Sequence, residues 1–253
     1  MVTPLHFDPD MILAGLDRGE FFLLYQPRVD LFREQVVSVE ALVRWKHPKY
    51  GILSPDRFIP ACERNGTIHP LGNWILRTAV SQAAQWQRDG LDLQVSINLS
   101  VEHITFDLPD KVQHLLKDNA LAPDKIELEI TEGILLSEEA RTILNQFDNL
   151  NIPLSIDDFG TGHSSLSYLR QFNARTLKID KSFLDDTPGD LDACLLLRSI
   201  IDLGHSLGMH VVCEGVETEA QFDIVQMMEA DQVQGYYFSK PVAAGDIPSR
   251  LSL

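Results

Sequence analysis

Six apolar, strand-like segments of this chain end in a carboxylate or a polar equivalent: Glu40, Asn98, Glu129, Asp157 with Asp158, Lys178 and Glu214. A solvated surface scatters its acids. Here Glu127-Leu128-Glu129-Ile130-Thr131-Glu132 and Ser155-Ile156-Asp157-Asp158-Phe159-Gly160 set acids within or directly after runs that belong in a core. A buried carboxylate needs a metal, hydrogen-bond donors or a proton to offset its lost hydration. Oxygen ligands from Glu, Asn and Asp suit a hard cation such as Mg2+ or Mn2+, and a converging lysine adds a charge able to meet a phosphate or a water held by the metal. The chemistry this set points to is metal-assisted hydrolysis.

For those ends to meet, the strands carrying them must lie side by side. Asp8 followed by Pro9 starts a short helix through Met11 to Leu16. Phe21 to Leu31 and Gln35 to Trp45 read as strands joined by only Phe32-Arg33-Glu34, a link that permits an antiparallel hairpin but not a parallel crossover. Helices over 55–64 and 71–88 lead to a strand over 94–99. The alternation then becomes regular: helix 101–118 with strand 125–131, helix 137–149 with strand 153–159, and helix 164–170 with strand 176–179. Helix 190–207 with strand 210–213, helix 218–229 with strand 232–238 and a last helix near 244–252 complete the chain. Eight strands alternating mostly with helices predict an α/β fold, a (β/α)8 TIM-like barrel with an antiparallel initial strand hairpin, in one domain over residues 1–253. In such barrels function sits at the carboxyl ends of the strands, where the polar residues above fall. The alternative, an open doubly wound sheet, lacks a Gly-x-Gly-x-x-Gly turn after the first strand.

At 253 residues and 44% hydrophobic content the chain can bury a substantial core. Its net charge of −16 argues against a long nucleic acid as partner, because that binding relies on basic surface and counterion release. A small anionic substrate is compatible with that charge if metals mask the local field. Cys62, Cys194 and Cys213 have no paired metal spacing and read as reduced thiols, mostly buried. The N-terminus carries no secretion-signal pattern, and no apolar run reaches the ~20 residues a membrane span needs. The expectation is a cytoplasmic protein without membrane insertion.

Taken together, the motifs resemble the EAL domains, which hydrolyse the bacterial second messenger cyclic di-GMP. The segments that carry the resemblance are Tyr25-Gln26-Pro27, Glu40-Ala41-Leu42-Val43-Arg44-Trp45, Ile97-Asn98-Leu99-Ser100, Glu127 through Glu132, Asp157 through Gly162, Leu177-Lys178-Ile179-Asp180, Glu214-Gly215-Val216-Glu217 and Val233-Gln234-Gly235-Tyr236. They occur in the family's order, from about residue 21 to 241. The resemblance implies that Glu40, Asn98, Glu129 and Asp157 hold a first metal and that Asp157 bridges to a second one held with Asp158, as two Mg2+ or Mn2+ ions per site. Lys178 would position the attacking water and Glu214 would serve as general base, although which of the two takes the proton stays open. Arg44 would bind a substrate phosphate with its forked donors. Gln26 and Gln234 would line the substrate pocket, Glu217 would act as an acid behind the ligands, and Glu132 would restrain the loop from Asp158 to Gly162. The family further implies a homodimer coupled to that loop.

Departures from the family pattern are mild: His163 follows Gly162 where Tyr is common, Gly133 follows Glu132 where Ser is common, and Cys213 precedes Glu214 where Ala is common. None removes a ligand. Competing motifs are weak, with no His-x-x-x-His pair and no Gly-x-Ser-x-Gly nucleophile around Ser164-Ser165. The leading expectation is hydrolysis of cyclic di-GMP to linear 5′-pGpG. The alternatives are a non-catalytic cyclic di-GMP receptor that regulates a partner and, setting the resemblance aside, an enolase-like barrel using Mg2+ and Lys178 on a carbonyl substrate.

Overall fold

The computed structural model describes residues 7–160, 169 and 172–251. Helix α1 (Pro9–Asp17) begins with proline in its first turn, where a missing N–H costs nothing. The hairpin of β1 (Phe21–Asp30) and β2 (Gln35–His47) follows, with Gln26 opposite Glu40 and Phe21 opposite Trp45. A short β3 (Gly51–Leu53) pairs with the far end of β2 and lies outside the barrel. Helices α2 (Pro55–Asn65) and α3 (Ile68–Arg88) then lead to β4 (Gln94–Asn98). After them come α4 (Leu108–Asp118), β5 (Ile126–Thr131), α5 (Glu138–Asn149), β6 (Leu154–Phe159), β7 (Thr176–Ile179), α6 (Leu191–Ser206), β8 (His210–Glu214), α7 (Glu219–Met227) and β9 (Gln232–Gln234).

Eight strands close on themselves in the order β1-β9-β8-β7-β6-β5-β4-β2, with β2 returning to β1. Only β1 runs against its two neighbours; β2 and β4 through β9 are mutually parallel. This is the expected α/β barrel with its antiparallel opening hairpin. Strand alternation sorts the side chains. In β5, Ile126, Leu128 and Ile130 are fully buried on one face and Glu127 and Glu129 on the other. Val95 and Ile97 of β4, Leu154 and Ile156 of β6, and Leu177 and Ile179 of β7 likewise join the apolar core shared with Leu76, Val80, Val112, Leu144, Phe147 and Leu197 of the helices. Branched apolar side chains usually fill the inside of such a barrel. Here the inside is polar, and hydrophobic burial lies between the sheet and its helices.

Three elements differ from the sequence expectation. The helix expected over 101–118 is split into a 3-10 turn Val101–His103 and α4, because Pro109 is tolerated only in a first turn and so forces a new start at Leu108. The last strand stops at Gln234. Beyond it the chain turns back on Val216, whose N–H donates to the Gln234 carbonyl at 3.1 Å, and a Cβ on Gly235 would lie 2.0 Å from the Val216 carbonyl oxygen. The closing helix is a 3-10 segment, Ala244–Arg250, with Pro248 inside it. The helix expected over 164–170, with His163, Ser164 and Ser165, lies outside the described residues except for Leu169, which is helical and buried. Cys62 and Cys213 are buried free thiols and Cys194 a partly buried one. Among the described residues no helix is long and apolar enough to cross a membrane.

Candidate active site

The strand ends converge as their residue types require. Lys178, 1% exposed on β7, points its Nζ into a ring of carboxylates. It lies 2.7 Å from Glu129 Oε2, 2.7 Å from Glu214 Oε1, 3.0 Å from Asp157 Oδ1 and 3.7 Å from Glu40 Oε2. Burial by itself would pull an ammonium down. Asp157, Glu214 and Glu40 outweigh it and hold Lys178 above the usual lysine value, so the group is charged. Burial pushes the Glu214 carboxyl up to about 7, with Asp157 and Glu40 adding to the rise and Lys178 opposing it. Glu40 goes the other way: burial raises it, but Lys178, Arg28 and the amide donors of Gln234 and Asn98 bring it below the ordinary glutamate value.

Neighbouring acids on a strand should face opposite ways, so Asp157 and Asp158 need a special backbone to share a site. The register between β6 and β7 shifts between Ile156 and Phe159, and Asp158 takes a φ of 53°, a left-handed conformation uncommon outside glycine. This bulge turns Asp158 toward its neighbour. Asp157, Asp158 and Glu214 each offer a carboxylate oxygen within 4.8 Å of the others. Burial and then Asp157 and Asp180 raise the Asp158 pKa, the mark of an acid crowded by acids. Gly160 follows with a φ of 90°, and its N–H donates to Glu132 Oε2 at 3.3 Å. Glu132 thus meets the backbone at Gly160, within the loop assigned to it by the sequence; Thr161 and Gly162 lie outside the described residues.

The amides are oriented by their acids. Asn98 Nδ2 donates to Glu40 Oε1 at 2.7 Å, which leaves Asn98 Oδ1 as the atom able to hold a cation. Gln234 Nε2 donates to Glu40 Oε2 at 2.6 Å and to Gln26 Oε1 at 3.2 Å, and Gln26 in turn donates to the Ser239 carbonyl. Gln26, Glu40, Glu214 and Gln234 line a cavity of about 270 Å³, with Lys181 and Tyr236 on its wall. A more apolar cavity of about 450 Å³ adjoins it at Glu40 and Leu42 and runs past Ile59, Pro60 and Ile75.

Two expected residues stand apart from the ring. Arg44 shares the face of Glu40 but lies four residues further along β2, roughly 13 Å at strand rise, half-buried, with Nη1 donating to the Val43 carbonyl at 2.9 Å. Glu217 is exposed on the wall of the smaller cavity, and its backbone N–H donates to Gln221. Conversely, sequence reasoning gave no role to Arg28 and Glu127. Arg28 is 1% exposed and Glu127 is 2% exposed. Arg28 Nη1 donates to Glu127 Oε2 at 2.9 Å, Nη2 to Glu129 Oε1, and Nε to Gln234 Oε1 at 3.0 Å. The signal was present in the alternation, since Arg28 is two residues from Gln26 and Glu127 two from Glu129.

The donor set fits divalent cations. It is made of oxygens, it sits at strand ends open to a cavity, and it holds more carboxylates than Lys178 and Arg28 can neutralise.

Comparison with known proteins agrees. The family profile described as EAL domain matches residues 10–241. Among curated relatives from Pseudomonas aeruginosa, the bifunctional diguanylate cyclase/cyclic di-GMP phosphodiesterase MucR is 36% identical over 234 residues, covering 91% of this chain and 34% of MucR. The cyclic di-GMP phosphodiesterase NbdA is 41% identical over 224 residues, covering 87% of this chain and 29% of NbdA. The chain thus spans about a third of the length of these relatives. A solved MucR phosphodiesterase in complex with c-di-GMP superposes with a TM-score of 0.88 at 35% identity, covering 94% of this chain and 98% of that one. With the family profile matched over residues 10–241 and the fold shared with a relative over nearly the whole length, the chain belongs to the EAL-domain family.

Proposed function

We propose that this protein hydrolyses cyclic di-GMP to linear 5′-pGpG with divalent metal ions, Mg2+ or Mn2+. The observation that carries the reading is the ring of Glu40, Glu129, Asp157 and Glu214 around the buried ammonium of Lys178 at the mouth of the barrel. Glu40, Asn98, Glu129 and Asp157 would hold one ion, and Asp157 with Asp158 a second. Bound there, such ions lower the pKa of a water and withdraw charge from the phosphoryl oxygens.

The chain's own groups supply the rest. Glu214, which divalent ions beside it would keep ionised, is placed to take a proton from the attacking water. Lys178 stays charged, holds Glu214 at 2.7 Å and offers its ammonium to the nucleophile and to phosphate oxygens. It therefore acts by position and charge, and the base role falls to Glu214. Gln26 and Gln234 present amides on the cavity wall, and Arg44 stands beyond the ring where a second phosphate of an extended dinucleotide would reach. In-line attack at phosphorus would break the bond to the ribose 3′ oxygen and leave a 5′ phosphate on the linear product.

Product analysis after incubation with cyclic di-GMP, with Mg2+, with Mn2+ and with chelator, tests this. Metal-dependent 5′-pGpG is the expected result. Tight binding without product under every metal condition would move the protein to the receptor class. Activity on a hydroxy acid, with none on phosphodiesters, would move it to carbonyl chemistry.

A further inference from the structure

Arg28 is the cation that the proposed chemistry leaves unused. It is buried inside the barrel beneath the carboxylate ring, outside the lining of the smaller cavity, and it makes three side-chain contacts at once. A buried guanidinium is costly to keep, and two of this one's three contacts reach up to the site, at Glu129 and Gln234. Nη2 binds Glu129 Oε1, the oxygen that Lys178 does not touch, since Lys178 takes Oε2. Nε–H donates to Gln234 Oε1, which fixes the flip of that amide so that its NH2 faces Glu40 Oε2. Nη1 is tied to Glu127, which is itself held by Ser96 Oγ at 2.9 Å and Thr176 Oγ1 at 2.7 Å.

We infer that Arg28 is a positioning residue that presets the metal ligands: Glu129 directly, Glu40 through Gln234, with Glu127 as the anchor. This rests on the metal-centre reading above. The inference explains the choice of side chain. Lysine at this position would supply the same charge but not three donors in a fixed plane, so it could not hold Glu129, Gln234 and Glu127 together. It also explains why Glu127 is saturated with donors while the acids above it are not. Outer partners of metal ligands set ligand orientation, and their loss typically costs 10–100-fold in metal affinity or activity.

The test is calorimetric titration of the full chain with Mg2+, Mn2+ and Ca2+ alone, without nucleotide, for wild type, Arg28→Lys and Glu127→Gln. Arg28→Lys keeps the charge, so any loss reports geometry. Mg2+ and Mn2+ affinity are expected to fall about 10–100-fold, and Ca2+, which tolerates irregular coordination, to fall less. The changed Mg2+/Ca2+ ratio is a readout that general destabilisation would not produce. If Arg28→Lys does not fold, Glu127→Gln decides, because it keeps the shape of the anchor and leaves Arg28 in place; it should weaken Mg2+ several-fold. Mg2+ binding within twofold of wild type in the folded variants would overturn the assignment, as would a wild-type chain that binds no divalent ion. A wild type that binds metal but leaves cyclic di-GMP intact would end the hydrolysis reading alone, and a weakened Arg28→Lys would still support this one.

Discussion

The inside of the barrel holds two polar layers built from the same strands, and they are opposites. The lower one is closed: Glu127 accepts from Arg28, Ser96 and Thr176, and its pKa, raised by burial, is brought below the ordinary value by Arg28 and those hydroxyls. The upper one is open. Glu40, Glu129, Asp157 and Glu214 crowd a single ammonium, and at Glu214 burial wins over the cation. Folding alone would favour the first arrangement everywhere, since a buried charge with its partners complete costs least. An excess of acids at one end is therefore a stored demand for positive charge, and that demand is the functional signature.

The sharpest way to break this contrast is to remove one upper acid. Glu40→Ala should reduce turnover of cyclic di-GMP by on the order of 10³-fold or more, the scale of losing a principal stabiliser of transition-state charge. Asp157→Asn should lose turnover similarly yet unfold at higher urea than wild type in chelator, because Lys178 keeps Glu129 and Glu214 while one crowded charge disappears. Lower stability of Asp157→Asn in chelator would show that the upper layer is balanced without metal. In the lower layer the sign reverses. Glu127→Ala leaves Arg28 with Glu129 alone as counter-charge and takes the acceptor from Arg28 Nη1, Ser96 and Thr176, and should cost about 3 kcal/mol by urea unfolding, while a loss under about 1 kcal/mol would remove the distinction between the layers.

Next in size is the effect of metal itself. Mn2+ at 100 times its Kd should add about 2.7 kcal/mol to wild-type stability. Asp157→Asn should gain far less, and chelator should reverse the gain. Equal stabilisation of both proteins would place the ion elsewhere.

The two layers were not equally legible in the sequence. The upper acids end their strands, so their clustering followed once the strands were placed, and the three-residue link after Leu31 announced the hairpin that brings Gln26 opposite Glu40. Arg28 was hidden because its two carboxylates come from 99 and 101 positions away, and no local pattern records such a pairing. The side-by-side use of Asp157 and Asp158 depends on a bulge and a positive φ, which strand alternation argues against. Element ends failed where a proline or a backbone contact overrode the pattern, at Pro109 in a helix and at Gly235 after the last strand. Burial, in short, was readable from pattern, and the partners of buried charge were not.

The smallest net effect, because two limbs of opposite sign overlap, separates the open layer from an ordinary buried titratable group. His103 is buried beside α3, with Nε2 3.2 Å from Asn73 Oδ1, and burial, then His69 and Lys111, pull its pKa down to about 4 while Asp107 opposes. The unfolded chain takes up that proton more readily, so stability should fall as pH drops from about 6.5 toward 4, by up to about 3 kcal/mol. Glu214 acts with the opposite sign. Its folded pKa, up at about 7, exceeds the unfolded value, so the fold prefers it protonated and the metal-free protein should lose stability as pH rises from about 4.5 through 7. The two limbs overlap between about pH 4.5 and 6.5 and offset each other there, so urea unfolding in chelator at pH 4.5, 6 and 8 should show the acid limb plainly only in Glu214→Gln, which leaves the limb of His103 and removes the alkaline one. Divalent cations beside Glu214 favour its ionised form, so saturating Mn2+ should erase that limb and leave the His103 limb untouched. An alkaline limb that persisted in Mn2+ would mean that the upper layer's missing charge is not supplied at Glu214.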